Sequence, residues 1–99
     1  MAEVVWSPKA IEDVEAIAHY IQRDSVIQAR RVTRLIFQQA CRLERHPRCG
    51  SIIPERNDDA YRELRIFSYR LLYRLADADT IHLLAVVHGK RLFDTDWLR

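Results

Sequence analysis

"RELRIFSYRLLYRL", Arg62 to Leu75, reads as two short apolar strands joined at Phe67 and Ser68, yet it carries arginines where a sheet accepts neutral residues. With Phe67 and Ser68 as a two-residue hairpin loop, Ile66 faces Tyr69, Arg65 faces Arg70, Leu64 faces Leu71 and Arg62 faces Tyr73. Side chains alternate with period two along a strand, so Leu64, Ile66, Tyr69, Leu71, Tyr73 and Leu75 share one face, and Arg65, Arg70 and Arg74 share the other. Two like charges then stand directly opposite each other, at a cost of roughly 0.2–1 kcal/mol. That face therefore requires solvent or an anionic partner.

Working outward, "ADADT" makes a turn and "IHLLAVVHG", Ile81 to Gly89, forms the third strand of a meander. Its middle is apolar on both faces, as in a covered strand. His82 and His88 have the same parity and are expected together on the arginine face. The tail "KRLFDTDWLR" reads as a turn or a frayed helical segment. Upstream, His46, Pro47, Gly50 and Pro54 punctuate a loop that "NDD" closes before the strands begin.

Before that loop lie two amphipathic helices. Ser7 caps the first, with Pro8 at the position where a missing N–H costs nothing. Ile11, Val14, Ile17, Ala18 and Ile21 form its apolar stripe, which leaves Glu12, Asp13, Glu15, His19 and Gln22 for the outer side. Asp24 or Ser25 opens the second, whose stripe is Ala29, Val32, Ile36, Phe37, Ala40 and Leu43 with arginines on its flanks. So short a connection makes an antiparallel helix hairpin. With a β-prone run at Glu3 to Trp6, the order is β-α-α-β-β-β. The expected fold is α+β, an antiparallel sheet with the helix hairpin packed on one face and the arginines looking out from the other.

The length of 99 residues, with 48% hydrophobic and 30% charged, suits one globular domain over 1–99. A net charge of +2 gives no argument for nucleic-acid binding by itself. Arginines crowd the middle of the chain, from Arg30 to Arg56, whereas acids gather at Glu12, Asp13 and Glu15 and again from Asp77 onward. No run approaches the roughly 20 apolar residues of a membrane span. The start "MAEVVWSPK" lacks a secretion signal, so the expected location is the cytoplasm. Cys41, His46 and Cys49 offer only three ligands at a spacing that fits no standard zinc pattern, and a reducing cytosol disfavours a disulfide. They read as one semi-buried helix cysteine and one loop cysteine, with no metal and no cofactor.

"WSPKAIEDVEAIAHYI", "RELRIFSYRLLYRL" and "AVVHGKR" together resemble the RelE/ParE superfamily of toxins from bacterial type II toxin–antitoxin pairs. The resemblance implies a small toxin neutralised by a cognate antitoxin in a hetero-oligomer, with no role at a membrane. Two activities divide the superfamily. RelE-like members cut messenger RNA in the ribosome, whereas ParE-like members block DNA gyrase. "RELR", "YRLLYR" and "VVHGKR" resemble the ParE-like and plasmid-stabilisation branch more closely. Arg70 and Arg91 match arginines that RelE-like nucleases place on RNA phosphate. Tyr61 and Glu63 stand where those nucleases carry lysines, Trp97 falls near the place of a stacking tyrosine, and Glu55 resembles a "PE" loop element found in several branches.

Cleavage of RNA through its own 2′-hydroxyl needs a base, an acid and cations for the phosphorane charge. As a metal-independent ribonuclease, the chain would draw on Glu55, His82 or His88 for proton transfer, and on Arg65, Arg70, Arg74 and Arg91 for charge. As a gyrase inhibitor it needs only a binding surface, for which Arg65, Arg70, Arg74 and Trp97 are the candidates. A non-toxic relative would keep its antitoxin contacts alone. Trp6, at the end of the first strand, is expected in the core or at the sheet edge.

Overall fold

The computed structural model describes residues 1–89. Strand β1 (Glu3–Trp6) leads into helices α1 (Pro8–Gln22) and α2 (Val26–Arg42). The strands β2 (Ser51–Ile52), β3 (Tyr61–Ile66), β4 (Tyr69–Leu75) and β5 (Thr80–His88) follow. They form one five-stranded sheet in the order β1-β5-β4-β3-β2. The β3–β4 hairpin has the expected register, with Arg65 opposite Arg70 and Leu64 opposite Leu71. Phe67 supplies the positive φ (53°) that a two-residue hairpin loop requires.

The pairs among β2, β3, β4 and β5 are antiparallel, while β1 adds to β5 in parallel. The sheet is therefore mixed at one edge. The two-residue β2, inside the stretch expected to be loop, pairs with Arg62 and Glu63 at the other edge.

The helix side of the sheet carries the main core, in which Val14, Val32, Ile36, Leu43, Leu71 and Leu83 are buried between the helices and the strands. Ser25 caps α2 by accepting from the Gln28 amide at 3.1 Å. Two large residues of the expected stripes are exposed, Ile11 at 45% and Phe37 at 47%. Both sit toward the outer flank of the hairpin. Phe37 instead packs against Trp6, with ring centroids 5.0 Å apart.

A β-bulge corrects the expected placement of the histidines. Between Leu72 and Tyr73 the partners on β5 jump from Ala85 to Leu83, so Leu84 is an extra residue. One extra residue reverses the side-chain parity of everything beyond it. His82 stands opposite Arg74 on the face away from the helices, whereas His88 stands opposite Tyr69 on the helix side. Ile81, Leu83 and Val86 accordingly join the main core, and Ala85 joins a second cluster with Ile53, Tyr61 and Leu72 on the other face.

Strand β1 spans four residues and β5 nine, so the outer edge of β5 outruns its strand partner. Side chains at the start of α1 complete that edge. Ser7 Oγ donates to the Leu84 carbonyl at 3.0 Å and also caps the helix, accepting from the Ala10 amide at 3.0 Å. The Val86 amide donates to Asp13 Oδ2 at 3.0 Å. Asp13, expected on the solvent side of α1, thus faces the sheet because a backbone donor there needs a partner.

The loop before β3 is tied down by the sheet beneath it. The buried Tyr73 hydroxyl donates to the Pro47 carbonyl at 2.8 Å and accepts from the Gly50 amide at 3.0 Å. A Cβ at Gly50 would lie 2.5 Å from the Glu63 carbonyl oxygen and 2.7 Å from the Tyr73 hydroxyl, so only glycine fits. Arg62 adds a bond to the Gly50 carbonyl at 2.8 Å. The chain leaving this anchor carries Glu55 over the open face of the sheet.

Candidate functional site

On the open face, β3 presents Tyr61, Glu63 and Arg65, and β4 presents Arg70, Leu72 and Arg74. The Arg65–Arg70 juxtaposition is answered from within the chain. Glu63 lies diagonal to Arg70 across the hairpin, and its carboxylate accepts from Arg70 Nε. Glu55 closes the other edge of the guanidinium, accepting from Nη1 at 2.8 Å and from Nη2 at 2.9 Å in a two-pronged pair. Arg65 Nη2 reaches Glu63 at 3.8 Å.

This quartet combines two cations with two anions. Arg70 is 3% exposed and Glu63 6%, while the side chain of Arg65 remains 66% exposed. Hydrogen bonding from Arg70 holds the Glu55 carboxyl below its ordinary range. Glu55 in turn pushes the Arg70 guanidinium up. Both shifts favour the charged forms of Glu55 and Arg70, and the anion that the like-charge pair demands is built into the fold. A guanidinium so enclosed has no edge to offer an incoming phosphate, and a glutamate with both oxygens on one arginine is a poor proton acceptor.

One row along the strands, Tyr61, Arg74 and His82 stand side by side on β3, β4 and β5. Arg74 Nη2 lies 3.1 Å from His82 Nδ1. That contact makes Nδ1 an acceptor and puts the imidazole proton on Nε2. Arg56 covers the Tyr61 ring at 4.1 Å. Arg74 has no carboxylate partner among the described residues.

Of the residues singled out in the sequence, Glu55, Arg65 and Arg70 come together, and Arg74 pairs with His82. His88 does not join them. It meets Tyr69 edge-on, with centroids 5.9 Å apart, on the opposite side of the sheet. Arg91 and Trp97 lie outside the described residues. Cys41 and Cys49 are both exposed free thiols, so the helix cysteine is not semi-buried. Glu63 is the residue that the sequence reading misses as a partner. Its parity places it on the arginine face, two residues from Arg65, and that was the available signal.

Residues 4–93 match the family model described as the ParE toxin of the type II toxin–antitoxin system parDE. The chain belongs to the ParE toxin family. This ParE-family toxin is 31% identical over 93 residues to Toxin RelE2 of Caulobacter vibrioides, covering 93% of the chain and all of the relative. Its fold is like that of a chain of the chromosomal ParDE toxin–antitoxin system from P. aeruginosa, with a TM-score of 0.72, 22% identity, and coverage of 91% of this chain and 98% of that one. It is also like a chain of the toxin–antitoxin complex RelBE2 from Mycobacterium tuberculosis, with a TM-score of 0.64, 25% identity, and coverage of 88% and 96%. The toxin is thus a type II toxin–antitoxin component of the ParE/RelE superfamily, with a cognate antitoxin as partner. Among its described residues no helix is long and apolar enough to cross a membrane.

Proposed function

We propose that this toxin acts in the cytoplasm by binding DNA gyrase, without cutting RNA and without a cofactor. The observation that carries this reading is the enclosure of Arg70 by Glu55 and Glu63. A ribonuclease must present uncommitted cations where phosphorane charge develops. Here the arginine at the corresponding place is buried and neutralised, and Glu55, the candidate base, is spent on it. Membership of the ParE family supports the same branch. A binding toxin needs no proton-transfer constellation, only a complementary surface.

The ribonuclease reading keeps one observation in its favour. Arg74 and His82 form a half-buried cation–imidazole pair without a carboxylate, and this is the one place on the described open face where charge stabilisation and proton transfer can meet. The experiment is a supercoiling assay with purified gyrase and relaxed plasmid, titrated with toxin released from its antitoxin. Inhibition at stoichiometric toxin is the expected result. Full supercoiling activity at a large excess of folded toxin refutes gyrase as the target.

A further inference from the structure

Among the described residues other than glycine, Asn57 and Phe67 have a positive φ, at 52° and 53°. Asparagine accepts that region readily, whereas a bulky side chain there is held against its own backbone preference. Phe67 is the first of the two loop residues of the β3–β4 hairpin, and Ser68 beside it does not share the positive φ. A loop of that pattern takes glycine at its first position. Phenylalanine is thus a poor residue for this turn, and no core contact compensates, because its ring is 61% exposed and belongs to neither core cluster. The exposed Phe37, by contrast, packs against Trp6.

The loop that carries Phe67 is nevertheless held firmly. The Gly89 amide donates to the Ser68 carbonyl, and a Cβ at Gly89 would lie 2.9 Å from that same oxygen, so glycine lets the end of β5 lie against the loop. On the strands that enter and leave it, Ile66 is 2% exposed and its partner Tyr69 packs on the main core. An exposed aromatic on so braced a tip loses little freedom on binding, which is the property of an interface anchor. Arg65 brings a charge to the same place, since its Nη1 comes within 3.3 Å of the position a Gly89 Cβ would take. Its side chain is 66% exposed, and the carboxylate it faces, Glu63 at 3.8 Å, already accepts from Arg70 Nε.

The partner follows by complementarity. A nucleic-acid strand is held by cations spaced along its backbone. The tip has one, because Arg70 beside it is neutralised by Glu55 and Glu63. A membrane surface calls for a broad apolar face and several cations. One ring and one under-neutralised cation match a protein pocket with an apolar floor and a carboxylate at its rim. We propose that the β3–β4 hairpin tip is the element by which this toxin engages gyrase, with Phe67 entering an apolar pocket of the target and Arg65 meeting a carboxylate beside it. The proposal rests on the reading of gyrase as the target.

The test compares wild-type toxin, released from its antitoxin, with Phe67→Gly, Arg65→Gln and Ile27→Ala. Gyrase binding by surface plasmon resonance, supercoiling inhibition, antitoxin affinity and the melting midpoint are measured on each preparation. Glycine suits the backbone at position 67, so Phe67→Gly should keep or raise the melting midpoint while weakening gyrase binding and inhibition by about 30-fold or more. Arg65→Gln should weaken them by about 3- to 10-fold and reduce their dependence on salt. Ile27→Ala, which trims a side chain 72% exposed on α2, should change them by less than about 3-fold. A midpoint lowered by more than about 5 °C in Phe67→Gly would make Phe67 a residue of the fold and overturn the proposal. Undiminished gyrase inhibition by Phe67→Gly overturns it as well and leaves gyrase standing as the target. A loss of antitoxin affinity as large as the loss for gyrase assigns the tip to the antitoxin and refutes the proposal. A single-stranded oligonucleotide that binds wild-type toxin and is lost in Phe67→Gly, while gyrase affinity holds, assigns it to nucleic acid with the same consequence. Failure of wild-type toxin to bind gyrase at all overturns the gyrase reading and the proposal with it.

Discussion

Replacing Arg70 by alanine is expected to damage the fold, and the size of the damage follows from what the residue holds. Its guanidinium neutralises Glu63, whose side chain is 6% exposed, and Glu55, whose side chain is 20% exposed. Without it, Glu63 is left as a buried anion with only Arg65, 3.8 Å away and itself largely in water. Breaking a buried pair by removing one partner costs about 3–5 kcal/mol. Because Glu55 can swing into solvent with its loop, the lower end of that range, about 3 kcal/mol, is the expected loss. For a domain of this size that corresponds to a fall in melting temperature of roughly 10–20 °C. Replacing all three residues by apolar ones of similar volume should recover most of it, since a buried ion pair is often no more stable than a well-packed apolar cluster. The assay is thermal unfolding followed by circular dichroism on the antitoxin-free toxin. An arginine that merely presents its charge to a ligand would change stability by less than about 0.5 kcal/mol, so an unmoved midpoint in Arg70→Ala refutes the enclosed quartet.

The remaining expectations concern the core, the loop anchor and pH. Truncating the fully buried Leu71 or Ile36 to alanine should cost roughly 2–5 kcal/mol in a denaturant titration, as large-to-small changes in a packed core do. Tyr73→Phe keeps the ring but removes a hydroxyl that both donates to Pro47 and accepts from Gly50, and a loss of about 1–3 kcal/mol should accompany faster amide exchange at Gly50. Glu55 has its carboxyl held below an ordinary value of 4.5, so the stability it contributes is complete above that pH and is lost as pH falls through the lowered folded value. In Glu55→Gln the curve of stability against pH should be flatter on its acid limb, and an unchanged acid limb would count against the Glu55–Arg70 bond.

The fold was largely legible, because period-two alternation in "RELRIFSYRLLYRL" fixes both the register and the two faces, and the structure keeps that register residue for residue. Helical spacing and the Ser7–Pro8 start located α1 in the same way. What the pattern could not carry was non-local. Four residues of β1 have no feature that distinguishes a parallel edge from an antiparallel one, and a bulge at Leu84 leaves no mark in a run that is apolar on both faces. That bulge decides where His88 points. The site was half legible. The like-charge pair signalled that solvent or an anionic partner was needed, and the partner comes from within the chain. Glu63 was on the right face at the right diagonal, but Glu55 reaches the cluster through a loop whose path depends on the Tyr73–Gly50 anchor, which no local pattern reveals.

The proposed mode of action, binding a target without cutting RNA, is open to direct measurement. The most direct measurement adds the purified, folded toxin to a reconstituted translation reaction and maps the 5′ ends of the message, with a gyrase supercoiling reaction run on the same preparation. An intact message and blocked supercoiling are the expected results. New 5′ ends within the translated codons, formed by wild-type toxin and lost in a folded Arg74→Ala or His82→Ala variant, would contradict that mode of action.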